Sequence, residues 1–526
     1  MSNLGERLEE VVQESPDLKW LYYQEQIFTL GELSKKINKA ANVFSSMGVK
    51  KGDKVALILS NSPEYLVCWF GLAKIGAAMV PINTSTKGEM LSYIINHSDA
   101  VLSVIEEPFL QQYFEIKSTL PNVKSSIGIF NNSTVISQKD FYCFDKLMDE
   151  ASSLYVEKNN VFLEDLMCIL YTSGTTGVPK GVMLSQNSYV EAGLASANRV
   201  FQFRPDDVIY TCLPFFHVNA QMGTTMPALM SKIPMAIGKK FSASKFWSEM
   251  ERYNVTIFKF IGAMITILYK NSSDGSVYNN SVRLGVGAPV PKDLWIPFEE
   301  RFGLQLLEGY GTTETTTACI SNTPNEFRIG SCGKPLPHYE ISIRDEANFP
   351  IATTEPGELC IRPLKPHVFM EGYYKMEEKT KESLKDGWFH TGDRAYRDVD
   401  GFYYFLDRTK DVIRRKGENI SSYMVEKIIN NHPKVLESAA IGIPNELSED
   451  ELKVFIRIKP GETAEEKEIF NWCEKYMSDF MHPRFIEFID EFPKTPTEKI
   501  QKYKLKELSN ENAWDRISFV KKEGIK

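Results

Sequence analysis

From about residue 50 the chain alternates short β-rich runs with helix-forming stretches, and this alternation limits the fold more tightly than any other feature of the sequence. Lys54–Ser60 reads KVALILS, an apolar-periodic segment follows Ser62-Pro63-Glu64, and Ala77–Ile82 reads AAMVPI. That is the punctuation of a βαβ unit, in which a strand buried on both faces is almost continuously apolar and a helix carries the chain back across the sheet. Similar runs recur at Ala100–Ile105, Asp207–Cys212, Val255–Phe258 and Ser281–Val286. The pattern predicts an α/β fold with a large N-terminal domain of doubly wound sheets. At 526 residues, 43% of them apolar, the chain has material for about three to four units of ~150 residues.

Near residue 400 the texture changes. Asp398–Arg408, DVDGFYYFLDR, reads as a hairpin, and Thr409–Ser421, TKDVIRRKGENIS, as a polar, basic, glycine-containing connector. Beyond it come a helix over Ser422–Asn431, an apolar run Val435–Ile443, a strand Lys453–Ile458, a helix Ala464–Phe480 and a final loop with Lys499. These predict a small α+β C-terminal domain, dividing the chain into 1–408 and 409–526.

Charge and cysteine usage exclude other classes. The net charge of −8 argues against a broad nucleic-acid or anionic-membrane footprint. The eight cysteines form no CxxC pair, so reduced, buried thiols are expected rather than a disulfide framework or a thiolate metal site. The first twenty residues are acidic and amphipathic, unlike a secretory signal. Tyr65–Ile82, the longest apolar run, contains Lys74 and two glycines and reads as a helix followed by a strand. A cytoplasmic protein with no integral membrane segment and no nucleic-acid partner is expected; a homodimer stays open.

The most informative chemistry lies in Tyr171–Ser185, YTSGTTGVPKGVMLS, directly after a strand-like run. Gly174, Gly177 and Gly181 let backbone N–H groups approach an anion, Thr172, Ser173, Thr175 and Thr176 add hydroxyls, and Lys180 supplies a cation. The Walker loop needs Gly directly before its Lys; Pro179 stands there, which removes the P-loop ATPase reading. In EGYGTTE, Glu308–Glu314, a tyrosine between two glycines can lay its ring on a purine, and Glu314 offers an oxygen suited to Mg²⁺. The GxGxxG dinucleotide pattern fails at Glu314.

The glycine-rich segment resembles the phosphate-loop motif of the adenylate-forming superfamily, which contains acyl-CoA synthetases, peptide-synthetase adenylation domains and firefly-type luciferases. GVGAP (285–289), EGYGTTE (308–314), GWFHTGD (387–393), DRTKD (407–411), RRKGENIS (414–421) and PTEKI (496–500) follow in that family's order. Residues 10–508 are thereby similar to it. The resemblance implies that ATP, Mg²⁺ and coenzyme A are used. It implies a nucleotide site formed by Thr172, Ser173, Gly174, Thr175, Thr176, Gly177 and Lys180, by Gly287, Ala288 and Pro289, and by Glu308, Gly309, Tyr310, Gly311, Thr312 and Thr313. Thr312 stands where the family most often has Met. Glu314 would hold the metal, Asp393 the ribose diol and Arg408 the ribose or phosphate.

Lys499 matches the family's catalytic lysine, a cation that stabilises charge building at the α-phosphorus, although Glu498 replaces the usual Gly before it. The small domain would be mobile, pivoting at Lys410 so that Arg414–Ser421 replaces Lys499, with Gly417 admitting pantetheine and Arg414 and Lys416 attracting phosphates of coenzyme A. Phe216 and His217 would line the acyl pocket, where Phe260 is a further aromatic candidate; a core histidine is the competing reading of His217. The expected reaction is activation of a small carboxylic acid by an AMP-forming acyl-CoA synthetase. FFHVNAQMGTTM (215–226) most resembles crotonobetaine/carnitine-CoA ligases. Fatty or aryl acids, loading of a separate carrier protein, and a non-catalytic nucleotide sensor are the alternatives.

Overall fold

The computed structural model describes residues 2–130, 138–154, 160–172, 179–272, 281–408, 412–415, 418–444, 450–477, 481–494 and 500–517. The chain divides into two compact units: Met1–Ile341 with Ile361–Phe389 and Asp400–Tyr403, and Ser342–Cys360 with His390–Val399 and Tyr404–Lys526. The second unit therefore draws on segments that precede residue 409.

The first unit holds two large sheets. One runs through Gly372–Tyr373, Lys180–Ser185, Leu166–Thr172, Ala78–Pro81, Lys54–Ile58, Ala100–Glu106, Ser125–Ile129 and Phe141–Cys143, parallel except at the end that carries the glycine-rich segment. The other runs through Lys334–Pro335, Ala318–Ser321, Gln305–Gly311, Leu284–Ala288, Ile257–Ile261, Ile209–Thr211, Met235–Ile237, Lys19–Tyr23 and Gln26–Thr29, with a parallel centre and antiparallel ends. The α/β expectation is met by these mixed sheets. The run Tyr65–Ile82 resolves as read: helix Pro63–Ile75, then strand Ala78–Pro81. Ser62 caps that helix through its hydroxyl, which accepts from the Tyr65 N–H at 3.3 Å, Pro63 opens the first turn, and Gly76 at φ 72° ends it. Every side chain of this helix except Glu64 is buried, which is why its sequence lacks an amphipathic stripe.

In the second unit, Val435–Pro444, Asp450–Ile458, Phe485–Phe488 and Trp514–Asp515 form a four-stranded sheet. The helices Ser422–Asn430 and Glu466–Tyr476 contribute Val425, Ile429, Ile469 and Cys473 to one hydrophobic cluster with Val454 and Ile456 of that sheet. One expectation is corrected here. The stretch read as a connector contains paired strands, Val412–Arg415 and Glu418–Ser421, in antiparallel register. Ile413 and Ile420 lie opposite one another and are buried in the same cluster, and this pair anchors the ribbon. Among the described residues no helix is long and apolar enough to cross a membrane.

Candidate active site

Strand pairing assembles the first half of the site. Thr172 lies opposite Lys180 in the antiparallel pair Leu166–Thr172 and Lys180–Ser185. Ser173, Gly174, Thr175, Thr176 and Gly177 lie outside the described residues. The edge pair Gly372–Tyr373 is bonded to the Lys180–Ser185 strand, with Tyr373 opposite Val182. The Tyr373 ring lies 4.7 Å from the Lys180 ammonium, and its hydroxyl donates to Glu314 Oε1 at 2.7 Å. Burial, with the Glu314 carboxylate beside it, pushes this phenol far above its usual range, so it stays a donor at any physiological pH. Tyr373 thus joins the glycine-rich segment to EGYGTTE, a role that sequence reasoning missed; two tyrosines after a glycine carry no motif of their own.

The second sheet supplies the other motifs. Gly287 pairs with Phe260 on one side and Glu308 on the other. A Cβ at 287 would stand 2.1 Å from the Phe260 carbonyl oxygen, so only glycine fits. Ala288 pairs with Ile261 and is followed by Pro289 and Val290, whose N–H donates to Glu308 Oε2 at 2.7 Å. Glu308, expected against the nucleotide, is 8% exposed and braces the 288–290 turn from within, and burial pushes its carboxyl up to about 7. Gly309 and the half-buried Tyr310 follow on the strand, opposite Ser321 and Ile320. At Gly311 a Cβ would lie 2.2 Å from the Thr317 carbonyl oxygen. Thr312 donates its N–H to Thr315 Oγ1 at 2.8 Å while its own buried hydroxyl makes no hydrogen bond among the described residues, and the Thr313 carbonyl accepts from the Thr316 N–H.

Phe216 is buried and meets the His217 ring edge-on at 4.9 Å. Phe260 does not stand on this wall: it is fully buried, 6.0 Å from Phe258, in a core cluster with Tyr210, Phe246 and Trp295.

In the second unit, Asp393 is buried on the strand Trp388–Arg397, whose backbone is pinned on either side of it. Its N–H donates to Thr391 Oγ1 at 3.0 Å, and that hydroxyl donates to the Leu359 carbonyl at 2.7 Å. The Gly392 N–H reaches Glu358 Oε1 at 2.9 Å, and His390 Nδ1 lies 2.8 Å from Glu358 Oε2. Gly392 has φ 71°, a conformation that favours glycine. Glu358 and His390 are positioning residues absent from the sequence reading. With Cys360 they bring three potential metal-ligating atoms within 4.8 Å of one another. Arg408 ends the strand Tyr403–Arg408, and Arg414 lies opposite Asn419 in the ribbon. Lys410, Lys416, Gly417 and Lys499 lie outside the described residues.

The profile of the AMP-binding enzyme family matches residues 8–374, and that of the AMP-binding enzyme C-terminal domain matches 424–499. The chain belongs to the AMP-binding enzyme family. A crotonobetaine/carnitine–CoA ligase of Salmonella paratyphi A (strain ATCC 9150 / SARB42) is 36% identical over 486 residues, covering 91% of this chain and 93% of the relative. The anthranilate CoA ligase AuaEII, solved with anthranoyl-AMP, superposes at a TM-score of 0.89 with 28% identity over 96% of this chain and 97% of its own. ATP-bound MatB from Rhodopseudomonas palustris reaches a TM-score of 0.85 at 25% identity, covering 96% and 99%. This member of the AMP-binding family is an AMP-forming acyl-CoA ligase, and ATP, coenzyme A and a small carboxylic acid are its substrates.

Proposed function

We propose that the chain works as a two-domain ligase, 1–408 and 409–526, running two half-reactions in one pocket. In the first, the acid's carboxylate oxygen attacks the α-phosphorus of ATP and pyrophosphate leaves. A carboxylate is already ionised at neutral pH, so no general base is required and His217 serves as pocket wall. Lys499 stabilises the charge that builds on the phosphate, Tyr310 stacks on the adenine and Asp393 takes the ribose hydroxyls. In the second, the small domain pivots at Lys410, Gly417 leaves room for pantetheine, the coenzyme A thiolate attacks the acyl carbon and AMP leaves.

The observation that carries this reading is the contact chain Lys180–Tyr373–Glu314, which joins the residue ending the phosphate-loop segment to the acid expected at the metal. Glu314 fits Mg²⁺: Tyr373 engages Oε1, and the carboxylate's other oxygen is the donor type this ion takes. When bound, Mg²⁺ would offset phosphate charge. Thr172 and Lys180, opposite one another at the strand ends, are assigned to the phosphates. A cytoplasmic location belongs to the same proposal.

For the acid, the 36% identity supports a crotonobetaine- or carnitine-type substrate, and the likeness to an anthranilate CoA ligase favours aryl acids as the second reading. Coenzyme-A-dependent AMP release over crotonobetaine, carnitine, aromatic, fatty and dicarboxylic acids tests both. The expected result is AMP release that depends on acid and coenzyme A together; pyrophosphate release that ignores coenzyme A throughout would refute the thioester half.

A further inference from the structure

Lys259 sits at the centre of the strand Ile257–Ile261. Its neighbours Phe258 and Phe260 share one face of the strand and pack into the core cluster, so alternation sends Lys259 to the opposite face. There it is 8% exposed, and among the described residues no carboxylate pairs with it and no hydrogen bond reaches it. Burial alone lowers its ammonium to about 8. The Phe201 ring lies 5.6 Å from its Nζ. A lysine buried without a partner is costly to the fold, and buried charges are ordinarily compensated.

The space beside it is polar and built from three separate segments. A Cβ placed on Gly223, in the π-helical turn Gln221–Thr225, would stand 3.2 Å from Asn219 Oδ1, 3.7 Å from Lys259 Nζ and 3.7 Å from Thr317 Oγ1. Asn219 Oδ1 is buried and makes no hydrogen bond among the described residues. Asn219 follows His217 by two positions and Thr317 follows Glu314 by three, so this cradle lies between the motif assigned to the acyl pocket and the motif assigned to the metal. The Lys259 ammonium and the Thr317 hydroxyl are donors for an anionic oxygen group, and the Asn219 amide, which turns its acceptor Oδ1 to this space, donates to such a group from its NH2 after a half-turn of its last torsion. A trimethylammonium group placed there would meet a like charge and find no acceptor of opposite sign.

We propose that Lys259, Asn219 and Thr317 form a specificity subsite for a second carboxylate, and that the preferred substrate is a dicarboxylic acid, activated at one end and held at the other. This rests on the acyl-CoA ligase reading and on the assignment of His217 to the acyl pocket, and it sets the dicarboxylic members of the substrate panel against the betaines.

The test compares kcat/KM for coenzyme-A-dependent AMP release with succinate, glutarate and adipate against butyrate, hexanoate and crotonobetaine. The wild-type enzyme is expected to favour one dicarboxylic acid over its monocarboxylic counterpart by about tenfold or more, because a site built to bind a polar group discriminates strongly against the analogue that lacks it. In Lys259→Met that ratio should fall toward one, and in Lys259→Glu the balance should move toward crotonobetaine. Gly223→Ala, which crowds the cradle and leaves every charge in place, should raise KM for the dicarboxylic acid more than for the others and serves if a Lys259 variant fails to fold. A wild type that prefers crotonobetaine or the monocarboxylic acids, or ratios unmoved by these substitutions, overturns the subsite while leaving the ligase intact. No AMP release from any acid would bring down the ligase reading, and the subsite with it.

Discussion

Glu308 illustrates how a residue's motif and its task can part. Read in EGYGTTE it belongs to the nucleotide; in the fold its carboxylate turns inward to take the Val290 N–H. Its carboxyl is raised by burial from 4.5 to about 7, so it takes up a proton on folding between those values. The stability it contributes is therefore complete below about 4.5 and is lost as pH rises through 7. Glu308→Gln keeps an oxygen for Val290 and removes the titration. Measured by urea unfolding, the variant should gain roughly 2–3 kcal/mol relative to wild type on going from pH 5 to pH 8; equal differences at both pH values would contradict the raised carboxyl. Tyr373 makes the same point in reverse: no motif marks it, yet it touches both Lys180 and Glu314.

Among the elements, the strand Leu284–Ala288 ties GVGAP to EGYGTTE, because its neighbours on either side are Ile257–Ile261 and Gln305–Gly311. Its close approach to the Phe260 carbonyl leaves no room for a side chain at 287. Gly287→Ala should cost about 1–3 kcal/mol, since the obstacle is backbone that cannot swing aside; a thermal transition indistinguishable from wild type would show that the sheet yields there. The element order was legible in the sequence because each run carries its own period and punctuation, as at Ser62, Pro63 and Gly76 around one helix. The ribbon Val412–Arg415 with Glu418–Ser421 was not, because its two anchoring isoleucines acquire meaning only when paired.

At the scale of the whole molecule, the two proposed half-reactions require that the adenylating cation and the thiol passage be separable. Lys499→Ala should slow adenylate formation by about 10² or more while largely sparing thioester formation from preformed acyl-AMP. Stopped-flow pyrophosphate release and single-turnover thioester assays read the two halves apart, and equal losses in both would remove the role assigned to Lys499. The sequence by itself determined the fold class, the order of the motifs and the family, because strand and helix periods, glycine spacing and motif order are properties of neighbouring residues. Only the tertiary structure decided that Phe260 belongs to the core, that Glu308 braces a turn, and that Lys259, Asn219 and Thr317 come together around Gly223. Burial and convergence arise when distant strands pair, and no local pattern records which buried charge will find a partner within the chain.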